Sequence, residues 1–436
     1  MPPRRLSSVT DTVAIRVDKR VVPAVLGEPV AVAIAASGRV VLGRSIKYHR
    51  PRGAACYAGR CDGCLMRVDG VANVTTCREP VTDGMVVETQ NVLGSAKNDL
   101  LSATDWFFPD GMNHHEMFTA LKPMNEFMQK IARRIAGIGK LPDRSVAAVP
   151  VRDLTCEVLV IGAGPAGLMT AAACAERGLD VVVCEDEPRA GGHLVIFPGE
   201  VRDEEMGLAR AAAVAARLVA RARDRGVRIM LSTPVAAAYD DVVLLAPRDG
   251  LVRARPARIV AATGVHEGAA AYEGADRPGV IGARAASVLL SYGVLPGERV
   301  ALVGDGAWTR ALANELALTG AHVVGPLAPP SVIGFRGGTE VEAVEVTHEG
   351  TRAQIECDAA VIETEPSAAY ELASQAGAGV IWRNGRFSVD ASPEDGRTGT
   401  ERVRAVGECT GMSSLAAIAA QAREAAIALA KELRRD

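Results

Sequence analysis

Aromatic residues are scarce, at 4% of this 436-residue chain, so its cores must be built mainly from Ala, Val, Leu and Ile. No charge sign dominates. Lys and Arg number 49 against 52 Asp and Glu, for a net charge of -3, and no long basic stripe is present, so nucleic acid is not an expected partner. No run reaches the ~18 uninterrupted apolar residues of a membrane span, so no transmembrane segment is expected. The basic start, Met-Pro-Pro-Arg-Arg, is not followed by the apolar stretch of a secretory leader. The expectation is a soluble cytoplasmic protein. Histidines number seven and are scattered, and none stands in a Ser/His/Asp arrangement, so no catalytic residue for substrate chemistry is assigned. What is plentiful is apolar material, at 48%, and glycine, at 44 residues. These imply large buried cores with many tight turns, and a chain of this length implies more than one domain.

Cysteine is also too sparse for a disulfide scaffold, with nine in the chain, yet four of them crowd one segment. Cys56, Cys61, Cys64 and Cys77 follow the pattern C-x4-C-x2-C-x12-C. Four thiolates suit zinc or an iron–sulfur cluster, since both take a sulfur shell. A gap of four, a gap of two and a distant fourth cysteine form the plant-type [2Fe–2S] spacing. Structural zinc more often uses two separate C-x2-C knuckles. Zinc and plain buried thiols are the alternatives to the cluster. Gly53, Gly59 and Gly63 let the backbone wrap closely and aim N–H groups at sulfur. The flanks alternate as short strands near 13–17, 21–25, 65–71 and 85–89, with a short helix over 31–36, as in a β-grasp fold. A [2Fe–2S] ferredoxin-like domain is thus expected over 1–95. Residues 96–149 form a linker or interface extension holding Trp106, Phe107, Phe108, His114 and His115, with a basic helix predicted over 126–136.

A dinucleotide fold follows. The apolar strand Cys156 to Ile161 runs into Gly162-Ala-Gly164-Pro-Ala-Gly167, then a helix to Arg177, then the strand Asp180 to Cys184, ending in Glu185. Gly162 makes the tight turn, Gly164 lets a pyrophosphate approach, and Gly167 permits close packing of helix on strand. The helix N-terminus favours the phosphates, and Glu185 suits ribose hydroxyls. Gly191 and Gly192 after the acid favour FAD over NAD. A long amphipathic helix is predicted over 203–225, with strands near 228–232, 241–246 and 251–253. A further strand ends at Thr263-Gly264, where the chain would pass close to a ligand. The FAD-binding domain is expected over 150–274 and again over 376–436. There Gly407-Glu408 ends a strand ahead of an Ala-rich helix over 415–429, and Glu408 suits a flavin ribityl hydroxyl.

A second glycine turn, Gly304-Asp-Gly306-Ala-Trp-Thr309, repeats the topology within an inserted NAD(P)-binding-like domain predicted over 275–375. Its details are weaker. Thr309 holds the third glycine position, and the following strand ends in Gly325-Pro326, with no acid for a ribose and no arginine for a 2′-phosphate. NAD(P) at this site stays an open question. The fold class expected is α/β: a β-grasp ferredoxin-like domain followed by a flavoprotein of the disulfide-reductase type with two dinucleotide-binding domains.

With these residues in place, the chain resembles the α-subunit family of bacterial multisubunit amine and imino-acid oxidoreductases. That family includes heterotetrameric sarcosine oxidase, dye-linked proline and hydroxyproline dehydrogenases, opine oxidase and hydrogen cyanide synthase. The segments carrying the likeness are Gly43-Arg-Ser-Ile-Lys-Tyr-His-Arg-Pro-Arg-Gly53, Asn91-Val-Leu through Asn98-Asp-Leu, Ala136-Gly-Ile-Gly-Lys140, Asp276-Arg-Pro-Gly-Val280 and Tyr292-Gly-Val-Leu-Pro-Gly297. The resemblance implies an electron-transfer subunit without the folate-handling C-terminal domain of sarcosine oxidase α. It implies FAD on Gly162, Gly164, Gly167, Glu185 and Glu408, and a [2Fe–2S] cluster on Cys56, Cys61, Cys64 and Cys77. It also implies an FMN at a subunit interface, a partner β-type subunit that holds FAD and oxidises the amine, and a small additional subunit. With Cys409 alone in the tail, no second cluster is expected. A self-contained NAD(P)H-dependent flavoprotein reductase and a scaffold with structural dinucleotide sites are the competing readings.

Overall fold

The computed structural model describes residues 3–7, 11–46, 48–103 and 148–434. The aromatic run at 106–108, the histidine pair at 114–115 and the helix predicted over 126–136 lie outside them. The chain divides into two compact units, each assembled from two stretches: 1–145 with 269–364, and 146–268 with 365–436.

In the first unit a five-stranded sheet runs in the order Arg20–Val25, Thr12–Val17, Val86–Glu88, Leu65–Val68, Val71–Thr75. Thr12–Val17 pairs antiparallel with Arg20–Val25 and parallel with Val86–Glu88, which is the crossed β-grasp arrangement. The helix Val30–Ala36 packs on it and is buried at every position from Val30 to Ala35. A helix apolar all round needs cover on more than one side, and the second stretch supplies it. One continuous core joins Ile15, Ile34 and Met66 to Leu289, Leu295 and Leu302. The strand Arg4–Arg5 pairs with Val294–Leu295. This second stretch builds a parallel four-stranded sheet, in the order Val280–Gly282, Ala359–Ile362, Arg299–Val303, His322–Leu327. The helix Ala307–Leu318 follows its third strand, and an antiparallel three-stranded sheet lies between 332 and 356.

The second unit centres on a seven-stranded sheet. Val151–Ile161 and Leu251–Ala261 run parallel in register over nearly their whole length, with Val181–Cys184 and Arg228–Met230 stacked outward from the first. The strand Val403–Ala405 pairs with the C-terminal end of Leu251–Ala261, so the last stretch of chain returns to the middle of this sheet. Helix Leu415–Leu433 buries Ile418, Ala422, Ala425, Ala426 and Leu429, the three-and-four spacing of an amphipathic helix.

The helix predicted over 203–225 is shorter than its Ala and Arg content suggests. Glu200–Asp203 and Gly207–Arg210 form a hairpin, and the helix is Ala211–Asp224. Asp203 accounts for the break: its carboxylate accepts from the N–H groups of Glu205 and Met206 and pairs with Arg217 at 2.6 Å. Gly207, at φ +70°, then takes the left-handed conformation that closes the turn.

Candidate functional site

The cysteine loop is drawn tight by its glycines. A Cβ on Gly63 would lie 2.0 Å from the Gly53 carbonyl oxygen, so the two ends of the loop touch. Tyr57, at φ +48°, and Gly59, at φ +72°, turn the backbone so that N–H groups face sulfur. Ala58 and Arg60 donate to Cys56 Sγ at 3.4 and 3.3 Å, and Gly59 donates to Cys77 Sγ at 3.2 Å. Cys56 Sγ lies 3.4 Å from Cys61 Sγ. Cys64 and Cys77 are held side by side because the Thr76 hydroxyl and N–H both donate to the Cys64 carbonyl. Crowding splits the thiols: contact with Cys61 and Cys77, with the loop N–H groups, drives Cys56 down to about 2, whereas Cys61 and Cys77 are pushed up by Cys56. Four cysteines in one loop are the two per iron that a binuclear cluster asks for. The other five cysteines are buried, and burial pushes each thiol up, Cys156 and Cys409 to about 11 and Cys174 and Cys357 to about 12. They stay protonated at neutral pH and take no part in this site.

In the second unit, the first glycine turn sits at the C-terminal ends of the parallel strands, where this topology places ligands. Gly162, at φ +105°, leaves Ile161, and Gly164 caps the helix Pro165–Ala175. A Cβ on Gly167 would stand 1.9 Å from the Gly162 carbonyl oxygen, and one on Gly162 would stand 2.4 Å from that of Ala262. Neither position tolerates a side chain. Gly191 and Gly192 fold back over the turn, with a Cβ on Gly192 falling 2.8 Å from Gly164 Cα. The neighbouring strand delivers Thr263, whose hydroxyl donates to the Ala369 carbonyl, and Gly264, at φ +67°. Gly407 packs against Ala166, and its N–H is held at 2.9 Å by the side chain of Gln421, which is buried within the C-terminal helix. Glu408 Oε2 lies 3.9 Å from His193 Nδ1.

Every residue singled out for FAD therefore converges on one end of one sheet. Glu185 closes it from the second strand. Its carboxylate is buried and accepts from the N–H groups of Ala163, at 2.6 Å, and Glu187, at 2.9 Å. Burial, reinforced by Asp186, pushes it up to about 8. Sequence alone singles out Glu408 but neither its pairing with His193 nor Gln421; a glutamine amid an alanine-rich helix is the available signal for the latter.

Gly304 and Gly306 occupy the matching place in the first unit, but the cradle differs. Thr309 lies against Gly304 and Glu363 against both glycines: a Cβ on Gly304 would stand 2.8 Å from Thr309 Oγ1 and 2.9 Å from Glu363 Cβ, and one on Gly306 2.0 Å from Glu363 Oε1. The Glu363 carboxylate accepts from Thr309 N–H at 2.8 Å, Thr309 Oγ1 at 2.6 Å and Trp308 N–H at 3.3 Å. No motif in the sequence gives this acid a role. It follows the buried strand Ala359–Ile362 directly, as Ala262 follows Leu251–Ala261, and each donates its N–H to the last residue of the strand that leads into the glycine turn.

Residues 10–92 match the family described as a 2Fe-2S iron-sulfur cluster binding domain, and residues 160–198 match an NAD(P)-binding Rossmann-like domain. The chain is 28% identical to the alpha subunit of sarcosine oxidase from Rhizobium meliloti over 88% of its own length and 42% of that protein's. It is 31% identical to one of the opine oxidase subunits of the same organism over 34% of this chain and 33% of that one. The chain thus spans less than half the length of these curated relatives. Among solved structures, L-proline dehydrogenase from P. horikoshii aligns over 100% of this chain and 77% of its own, with a TM-score of 0.77 at 22% identity. Thioredoxin reductase of Lactococcus lactis aligns over 64% of this chain and 100% of its own, with a TM-score of 0.51 at 14% identity. These likenesses give the same α/β fold that the glycine turns predict.

Proposed function

We propose that this chain, similar to the α subunit of sarcosine oxidase and to an opine oxidase subunit and matching a [2Fe–2S] domain, is the electron-transfer subunit of a multisubunit amine or imino-acid dehydrogenase. The observation that carries this reading is the pair of built cradles, one per unit: the loop of Cys56, Cys61, Cys64 and Cys77, and the end of the sheet bearing Gly162, Gly164, Gly167 and Glu185. When bound, FAD takes up two electrons and gives them out singly, and a [2Fe–2S] cluster carries one. Substrate oxidation, in which carbon gives up a hydride to that subunit's flavin and nitrogen gives up a proton to leave a C=N bond, belongs in this reading to a partner β-type subunit that holds its own FAD.

The residues of this chain would hold and tune. The N–H groups of Ala58, Gly59 and Arg60 stabilise negative charge on the sulfurs of Cys56 and Cys77, and such bonds raise a cluster's potential. The N-terminus of Pro165–Ala175, free of any side chain at Gly164, offers its N–H groups and positive end to a pyrophosphate. Glu185 stands where it can exchange its bond to Ala163 N–H for ribose hydroxyls. Glu408, beside Gly264 and His193, supplies a polar edge suited to the flavin's ribityl chain.

The test is anaerobic reduction of the complex purified from its source cells, followed by optical and electron paramagnetic resonance spectra. Addition of a secondary amine or imino acid is expected to bleach flavin and raise the rhombic signal of a reduced [2Fe–2S] cluster. Flavin bleaching with a cluster that stays oxidised under every donor would overturn the relay.

A further inference from the structure

The described residues contain two dinucleotide folds, and of these one presents a free phosphate seat. We infer that in the second fold Glu363 is the resident anion: its carboxylate fills the seat that a dinucleotide's pyrophosphate would take, and so closes this domain to NAD(P)H. The N-terminus of Ala307–Leu318 carries unsatisfied N–H groups and the positive end of the helix, both of which attract an anion. In the first fold Gly164 leaves the corresponding groups free for a phosphate. In the second, Glu363 reaches in from a different strand and takes the N–H groups of both Trp308 and Thr309, with a third bond from the Thr309 hydroxyl.

Three features hold it there. Its own N–H donates to the Val303 carbonyl at 2.8 Å, so the backbone at Glu363 is a fixed extension of the sheet. Gly306 has no side chain, and the carboxylate occupies the space one would take, with a Gly306 Cβ falling 2.0 Å from Oε1 and 2.6 Å from Oε2. Thr309 stands at the third glycine position, where its hydroxyl makes the 2.6 Å bond that a glycine could not. A phosphate entering this space would displace three hydrogen bonds and meet a fixed negative charge at close range. The rest of the seat offers it little: the Arg284 guanidinium lies over the Trp308 ring at 5.0 Å, and the second strand, which runs past the predicted Gly325-Pro326 end to Leu327, is followed by Ala328 rather than an acid or arginine.

A closed second fold removes this seat for NAD(P)H, which rests on the proposed function for its bound flavin and sharpens it without depending on the partner subunit. The test uses the purified, FAD-loaded chain and inorganic pyrophosphate as the probe, with thermal melting as the readout and flavin absorbance confirming that FAD stays bound. The wild-type chain is expected to melt at the same temperature with and without pyrophosphate, and to bind neither NADH nor NADPH up to about 1 mM. Glu363→Ala is expected to melt several degrees lower, to regain part of that loss with pyrophosphate, and to bind pyrophosphate at least about tenfold more tightly than wild type. Glu363→Gln keeps the size and an acceptor while removing the charge. It is expected to fall between the two, and it carries the test should the alanine variant not fold. Saturable NADH binding by the wild type, or an equal pyrophosphate response in wild type and both variants, would overturn the assignment. The outcome is independent of amine-driven electron transfer, so failure here and failure of the proposed function are separable.

Discussion

The first and second glycine turns share a plan and differ at three residues. In both, a parallel strand ends in a glycine of positive φ, Gly162 at +105° and Gly304 at +132°, and a second glycine caps the helix that follows. The first turn then has Gly167, with Glu185 directly after the second strand and Ala262 directly after the returning strand; the second has Thr309, Ala328 and Glu363 at the same three places. Each difference moves charge or bulk from the rim of the cradle to its centre. In the first fold the acid stands at the edge, held by Ala163 and Glu187 N–H groups, and leaves the helix end open. In the second the acid sits on the helix end itself. Topology alone therefore does not decide whether a dinucleotide fold binds; the placement of one carboxylate does.

The comparison can be broken most forcefully from outside it. Cys64→Ser removes a buried sulfur of the loop and is expected to abolish the cluster's iron and visible absorption while leaving flavin content near wild type, because the flavin cradle is built in the other compact unit. Iron and flavin assays read both numbers. Gly167→Val places a side chain 1.9 Å from the Gly162 carbonyl oxygen or nearer, and FAD content is expected to fall by at least about tenfold, or ~1.4 kcal/mol.

A smaller effect concerns Glu185. Burial raises it from the ordinary 4.5 to about 8, so the native, flavin-stripped protein binds a proton that the unfolded chain has released. The stability this proton contributes is complete below about 4.5 and is lost as pH rises toward about 8. Denaturant midpoints should fall across that window, and Glu185→Gln should flatten the slope; an unchanged slope in the variant would contradict the assignment. The smallest effect is expected from Thr309→Val, the counterpart of Gly167→Val. Losing the 2.6 Å bond to Glu363 should cost about 1 kcal/mol, or about 2–4 °C in melting temperature, with no change in bound FAD.

Much of this is legible in the order of residues. The cysteine spacing and the strand, glycine turn, helix, strand and acid sequence around Gly162 are local signals, each confined to a few tens of residues. What is not legible depends on distant partners. Glu363 lies more than fifty residues beyond the N–H groups of Trp308 and Thr309 that it caps, and no periodicity connects them. The hairpin at 200–210 hides behind an alanine- and arginine-rich stretch, and the side chain of Asp203 breaks the helix there. The stretch Val30–Ala36 holds a subtler clue. A run with no polar position cannot face water on any side, and its second cover is the core around Leu289 and Leu295, some 250 residues onward.

The most direct test of the account is the nucleotide and metal content of the freshly purified chain, by mass spectrometry of the released cofactors together with iron and acid-labile sulfide assays. The account predicts a single dinucleotide per chain, FAD, together with one [2Fe–2S] cluster and no NAD(P). A second dinucleotide per chain, or a chain holding zinc in place of iron and sulfide, would contradict it.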